Sequence, residues 1–221
     1  MCGRYKISTP GDELWETFDV HGNDMPPLVP RWNVAPTQLI PVIRRPHQGE
    51  LLRWGIQGPN PKAGGINVRV ESLAAPMYRE AIRQRRCLIL ADGYYEWRVV
   101  SAPGAKKLVK QPYLVQRIDH EPFAFAGIWQ EQVTPDGELI PAVAILTTVP
   151  HGAAAEVHDR MPLILPMAST SQWLDPNARY KDLLEPDWQS LQIVPVSPLV
   201  NSPKNEGEAV AEPVAAVPPV E

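Results

Sequence analysis

The chain has 221 residues, 44% hydrophobic and 21% charged, enough for one globular domain that buries a core without disulfides or structural metals. Two cysteines, Cys2 and Cys87, are too few for a disulfide framework; no run reaches the ~18 apolar residues of a membrane span, and no basic-then-apolar leader opens the chain, so a reducing cytosol is the expected compartment. The net charge of −4 argues against a nucleic-acid partner until it is located: Glu206, Glu208, Glu212 and Glu221 against Lys204 leave residues 1–200 close to neutral, so a basic groove is not excluded.

In chain order, MCGRY places a cysteine directly after the initiator methionine. STPGDELWETF reads as a helix start, with Thr9 as N-cap, Pro10 in the first turn, Asp12 as the capping-box acid, and Leu14, Trp15 and Phe18 as the buried stripe. LIPVIRR and LLRW are short β-type runs, and GPNPKAGG is a loop by composition. PMYREAIRQR predicts a helix. CLILA, GYYEWRVV, QPYLVQRI, PFAFAGIWQEQV and LIPAVAILTTV then predict strands, punctuated by SAPGAKK and by an Asp-Gly turn in TPDGE. This spacing suits an α+β domain with a mostly antiparallel curled sheet or barrel and short flanking helices, rather than a βαβ array.

LQIVPVS closes the expected domain at residue 198. Residues 199–221 are rich in Pro, Ala, Val and Glu without an aromatic or an amphipathic period, and read as a disordered tail. Cys87, inside CLILA, reads as a buried structural thiol. RRPH at Arg44 and RQRR at Arg83 supply positive charge, most simply as solvated faces. The five histidines do not pair with cysteines at metal-site intervals, so no metal is expected.

Cys2 is chemically unusual if Met1 is removed, because one residue then carries an α-amine and a thiol. With ordinary pKa values of about 7.7–8.0 and about 8.5, both have a nucleophilic fraction near neutrality. Toward an aldehyde the amine forms an imine, and the thiol closes a five-membered thiazolidine intramolecularly. The plain alternative is an inert residue in a flexible terminus. Glu96 in ADGYYEW can shuttle protons or be an exposed strand acid; His158 in HDRMP can act as acid and base near pH 7 or be a surface histidine. Asn67 in NVRVES can donate to an oxyanion or be a turn residue.

Taken together and in order, MCGR, WNVAP, NVRVES, ADGYYEW and HDRMP make the chain resemble the SRAP (SOS-response-associated peptidase) family from Met1 to about Ser197. The resemblance implies a protein that loses Met1 by self-cleavage in the family's manner and crosslinks through Cys2 to abasic sites in single-stranded DNA by way of a Schiff base. It is not a multi-turnover protease. It also implies Asn67 and Glu96 as polar groups beside the new terminus and His158 as the acid/base residue. Arg4 and Arg69 are implied to contact phosphates, while Trp97 and the segment from Asn33 to Pro36 line the path of the strand. No cofactor is needed. The implied partners are abasic single-stranded DNA and, through the tail, replication-fork proteins, for a monomer in the cytoplasm and on the nucleoid.

Three features depart from the family pattern. Val68 and Val70 stand where alanines are usual, Ser72 stands for threonine, and WGIQGPNPKAGG lacks a second tryptophan. In an extended segment Val68 and Val70 alternate away from Asn67 and Arg69, toward the core. Two rival readings remain at the level of sequence. One is an N-terminal-nucleophile glutamine amidotransferase, which also begins Met-Cys-Gly but carries Asn-Gly signatures absent here; the other is a non-catalytic single-strand binding module.

Overall fold

A computed structural model describes residues 2–21, 25–57, 64–101, 108–134 and 136–217. β1 (Tyr5–Ile7) leads into helix α1 (Gly11–Thr17), followed by β2 (Arg31–Val34), β3 (Leu39–Arg45) and β4 (Gln48–Trp54). The short pair β5 (Ile56–Gln57) and β6 (Gly64–Gly65) precedes β7 (Asn67–Arg69). Helix α2 (Pro76–Gln84) feeds the long strands β8 (Arg86–Ala91), β9 (Gly93–Val100), β10 (Val109–Arg117), β11 (Phe123–Val133) and β12 (Leu139–Thr148). The last part adds β13 (Met161–Pro162), β14 (Ile164–Leu165), helix α3 (Thr170–Leu174) and β15 (Leu191–Pro195).

Five of these strands close on themselves. β12 pairs with β11 and β4, β4 with β3, β3 with β8, and β8 with β11, which is the expected α+β barrel. Pairing is antiparallel except where β12 runs parallel to β4 and to β7. The lumen is tight: a Cβ on Gly127 would lie 2.8 Å from Ile89 Cδ1 and 2.9 Å from Cys87 Sγ. Cys87 is fully buried, and that burial pushes its thiol up, in keeping with a structural role.

A second sheet, ordered β15-β10-β9-β1-β2, packs on the barrel through aromatic edges. Tyr5 meets Trp54 at 5.4 Å and Phe125 at 6.0 Å between ring centroids, and Tyr94 meets Phe125 at 6.1 Å, all edge-on. No helix of the described residues is long and apolar enough to cross a membrane. The GPNPK and PGAKK parts of the two expected loops lie outside the described residues.

Two expectations need correction. Thr9 does not cap α1, whose N-cap is Pro10 without a side-chain bond. Ser8 and Thr9 instead direct their main-chain N–H groups and hydroxyls to the buried carboxylate of Asp92, fixing β1 to the β8–β9 junction. Leu14 and Trp15 do form the buried stripe, with Phe18 partly buried beside them.

Nor is the chain from residue 199 to 217 without structure. It forms two short 3-10 turns, Pro198–Asn201 and Glu208–Val210, with Val196 bridged to Pro213. Val200 and Val210 are fully buried with Tyr95 and Leu114. The organising group is Asn33, itself fully buried, whose Nδ2 donates to the carbonyls of Ser202 and Asn205, each at 2.9 Å. Composition misleads here because two valines and one distant amide suffice to order the strap. Asn33→Ala is expected to cost about 2 kcal/mol in denaturant unfolding and to open residues 198–213 to limited proteolysis. Unchanged stability with a protease-resistant strap would contradict the assignment.

Candidate active site around Cys2

The end of β12 is shared by two other segments. Beyond its pairing with β4, β12 continues alongside β7 with Ile145 opposite Asn67 and Thr147 opposite Arg69. On its other edge β13 pairs Pro162 with Thr147 and Met161 with Thr148, so His158, Asp159 and Arg160 arrive at the same place. The third contributor is the β1–β9 pairing. Tyr5 lies opposite Tyr94, and Tyr95 N–H donates to Arg4 O at 2.9 Å, which brings Cys2 and Gly3 alongside Glu96 and Trp97.

Cys2, Asn67, Glu96 and His158, up to 156 positions apart in sequence, therefore meet. Asn67 Nδ2 donates to the Cys2 carbonyl at 2.7 Å, and His158 Nε2 lies 4.0 Å from Glu96 Oε2. Arg160 N–H donates to His158 Nδ1 at 3.0 Å, which puts the ring proton on Nε2, toward Glu96. Asp159 Oδ1, 2.8 Å from the same Nδ1, competes for it and would favour the imidazolium. That carboxylate is largely solvated, and burial, the larger effect, pushes His158 below the ordinary imidazole value. The neutral ring is the resting form.

Burial also sets the other two groups. Glu96 is 3% exposed, and loss of water pushes its carboxyl up to about 7. Cys2 is 0% exposed; burial first, and Glu96 second, push its thiol well above the ordinary range. Cys2 is thus neither an inert mobile residue nor, at neutral pH, an appreciable thiolate in this state. Around it the hydroxyls of Tyr5, Tyr94 and Thr147 and Asn67 Oδ1 are buried with no hydrogen-bond partner among the described residues.

Sequence reasoning passed over the brace beneath these groups. Arg160 donates to both oxygens of Glu71 at 2.7 and 2.8 Å and to the Thr147 carbonyl at 2.5 Å. The signal was present, since Glu71 and Arg160 lie inside NVRVES and HDRMP. Val68 is buried and Arg69 exposed, as the alternation predicts.

The expected DNA-facing set is divided. Arg69 is open to solvent, and Pro36 is half-buried. Arg4 is half-buried and donates to Asn33 Oδ1 at 2.8 Å and Val200 O at 2.9 Å. Trp97 is half-buried, its Nε1 donating to Asn201 Oδ1 at 2.6 Å. Asn33 is fully buried; it supports this surface from beneath and does not line it.

The barrel mouth thus collects a buried cysteine, an amide on its carbonyl and a carboxyl–imidazole pair from four distant segments. The family profile described as SOS response associated peptidase (SRAP) matches residues 1–203, and the chain belongs to that family. It is 34% identical to the abasic site processing protein YoqW of Bacillus subtilis, over 96% of this chain and 99% of that one. It is 29% identical to the abasic site processing protein YedK of Escherichia coli, over 97% and 100% of the two chains. A crystal structure of a Bacteroides thetaiotaomicron protein shares the fold, with a TM-score of 0.81 at 20% identity over 97% of this chain and all of that one.

The Glu96 environment has a thermodynamic signature. A carboxyl raised from 4.5 to about 7 on folding holds its proton longer in the folded chain. Its stabilising effect is complete below the unfolded value and is lost as pH rises through about 7. Glu96→Gln, which stays neutral, is therefore expected to gain stability relative to the parent between pH 4.5 and 8, by up to about 3 kcal/mol. Parallel stability–pH curves for the two proteins would show that Glu96 is not perturbed.

Proposed function

We propose that this chain processes abasic sites in single-stranded DNA by capturing the ring-opened sugar aldehyde on Cys2 after Met1 has been hydrolysed away. The observation that carries the reading is the 2.7 Å bond from Asn67 Nδ2 to the Cys2 carbonyl, which fixes the residue beside Glu96 and His158. A held terminus presents both of its nucleophiles in one geometry.

Hydrolysis of the Met1–Cys2 bond consumes one water and frees the α-amine, while Asn67, bound to the Cys2 carbonyl, holds the residue in place. The free amine attacks the C1′ aldehyde to give a carbinolamine. Protonated Glu96 donates to the departing hydroxyl, water leaves, and an iminium remains opposite the Glu96 carboxylate. The thiol then adds to the iminium carbon while its proton passes to Glu96, restoring the acid and closing the thiazolidine without loss of further atoms.

The order follows from burial. A thiol held well above its ordinary value is a poor first nucleophile, so the amine opens the reaction and the thiol acts once a base has been generated beside it. A carboxyl near 7 suits both halves of this cycle. His158, neutral with its proton on Nε2, serves the opening of the sugar ring to the aldehyde. Arg69, with Arg4, takes the flanking phosphates, and Trp97 and Pro36 border the strand.

Intact mass spectrometry of the purified protein with an abasic single-stranded oligonucleotide tests this. The expected protein lacks Met1, and the expected adduct weighs the sum of protein and oligonucleotide less one water and survives SDS. Cys2→Ser is expected to lose the durable adduct with little change in single-strand affinity. An equally durable adduct on Cys2→Ser, or on a chain retaining Met1, would overturn the mechanism.

A further inference from the structure

We infer that Asp19, His21 and His47 form a binding site for a divalent transition metal such as zinc, separate from the groups around Cys2. Asp19 and His21 lie just beyond α1, and His47 lies in the turn between β3 and β4. The three candidate donor atoms all fall within 4.8 Å of one another. Asp19 Oδ1 is 3.5 Å from His21 Nδ1 and Oδ2 is 3.1 Å from His47 Nδ1; His47 Nδ1 also donates to the Asp19 main-chain carbonyl at 2.8 Å, which fixes its tautomer and leaves Nε2 as the nitrogen that ring offers a metal. The two imidazoles are 4.9 Å apart between centroids and inclined by 34°. Donors around a tetrahedral zinc stand about 3.3–3.5 Å apart, so small side-chain rotations complete the set.

The backbone favours this reading over a chance surface ion pair. α1 ends with Val20 N–H on Trp15 O at 2.8 Å and Asp19 N–H on Glu16 O at 3.0 Å, a Schellman termination whose left-handed position usually holds glycine. Here that position is Asp19, with φ 55°. The turn after Pro46 likewise places His47 at φ 64°, where glycine is again the unstrained choice. Two of the three donors thus occupy left-handed positions in segments that are distant in sequence.

Two neutral imidazoles and one carboxylate select zinc, nickel, cobalt or copper over magnesium or calcium, and they leave at least one coordination position for water. The side chains are accessible, at 75% exposure for Asp19, 63% for His21 and 55% for His47. Asp19 and His47 also line one cleft, with Phe18, Ile43 and Leu88, so a bound ion would brace the exit of α1 against the β3–β4 hairpin. Folded-state binding of this kind raises the melting temperature with the logarithm of metal concentration over Kd.

The test uses the full chain without a histidine tag, stripped with a chelator. Calorimetric titration with zinc chloride is expected to give one site, and 100 μM zinc, unlike magnesium, is expected to raise the melting temperature by a few degrees. His21→Ala, Asp19→Asn and His47→Asn are each expected to weaken zinc binding at least tenfold, asparagine being chosen because it tolerates the left-handed backbone. Cobalt is expected to show a visible d–d spectrum without a thiolate charge-transfer band, which separates this site from Cys2 and Cys87. Failure to bind zinc, an equal response to magnesium, or zinc binding unchanged in all three variants would overturn the proposal.

Discussion

Around the end of β12, the guanidinium of Arg160 binds both oxygens of Glu71 and the carbonyl of Thr147, while its main-chain N–H holds Nδ1 of His158. Those four bonds join the segment carrying Asn67, the strand end that separates the two edges, and the segment carrying His158. A fork-shaped cation suits this place because Glu71 is met by two parallel bonds, and a lysine could not reproduce the pair. Arg160 is only 9% exposed, so most of its binding energy goes to offset its desolvation. What it secures is the relative position of Asn67 and His158, which a barrel mouth made of short strands would not hold unaided.

The same withdrawal from water governs the reactive groups. Desolvation raises acids and lowers bases, so Cys2 and Glu96 keep protons that a solvated cysteine or glutamate would share with water, and His158 gives one up. The result is a cluster in which Glu96 is the group that titrates near physiological pH. Buried hydroxyls of Tyr5, Tyr94 and Thr147 surround it without partners among the described residues.

The fold was legible in outline. The β-type runs and the helix of PMYREAIRQR fall where the pattern puts them, and the strands curl into a barrel. Less of the site could be read from residue chemistry: Cys2 was conspicuous, whereas Asn67, Glu96 and His158 read as ordinary turn, strand and surface residues until five ordered motifs tied them to a family. Asn33 was assigned to the DNA surface by the family resemblance, yet its amide faces inward to bind the strap. Thr9 looked like a cap, but Asp92 offered its hydroxyl and N–H a buried carboxylate in place of a helix end.

Strand propensity, turn chemistry and the ordered motifs are local properties, and for this protein they determined the elements, the domain class and the family from the sequence alone. Tertiary structure decided which of those residues meet. The closure of β12 against both β7 and β13 assembles the cluster, the burial it causes suppresses the thiolate fraction expected of Cys2, and one inward amide converts an apparently featureless tail into a packed strap. The physical reason is that hydrogen-bond satisfaction and desolvation depend on neighbours brought from elsewhere in the chain, and no short window of sequence contains them.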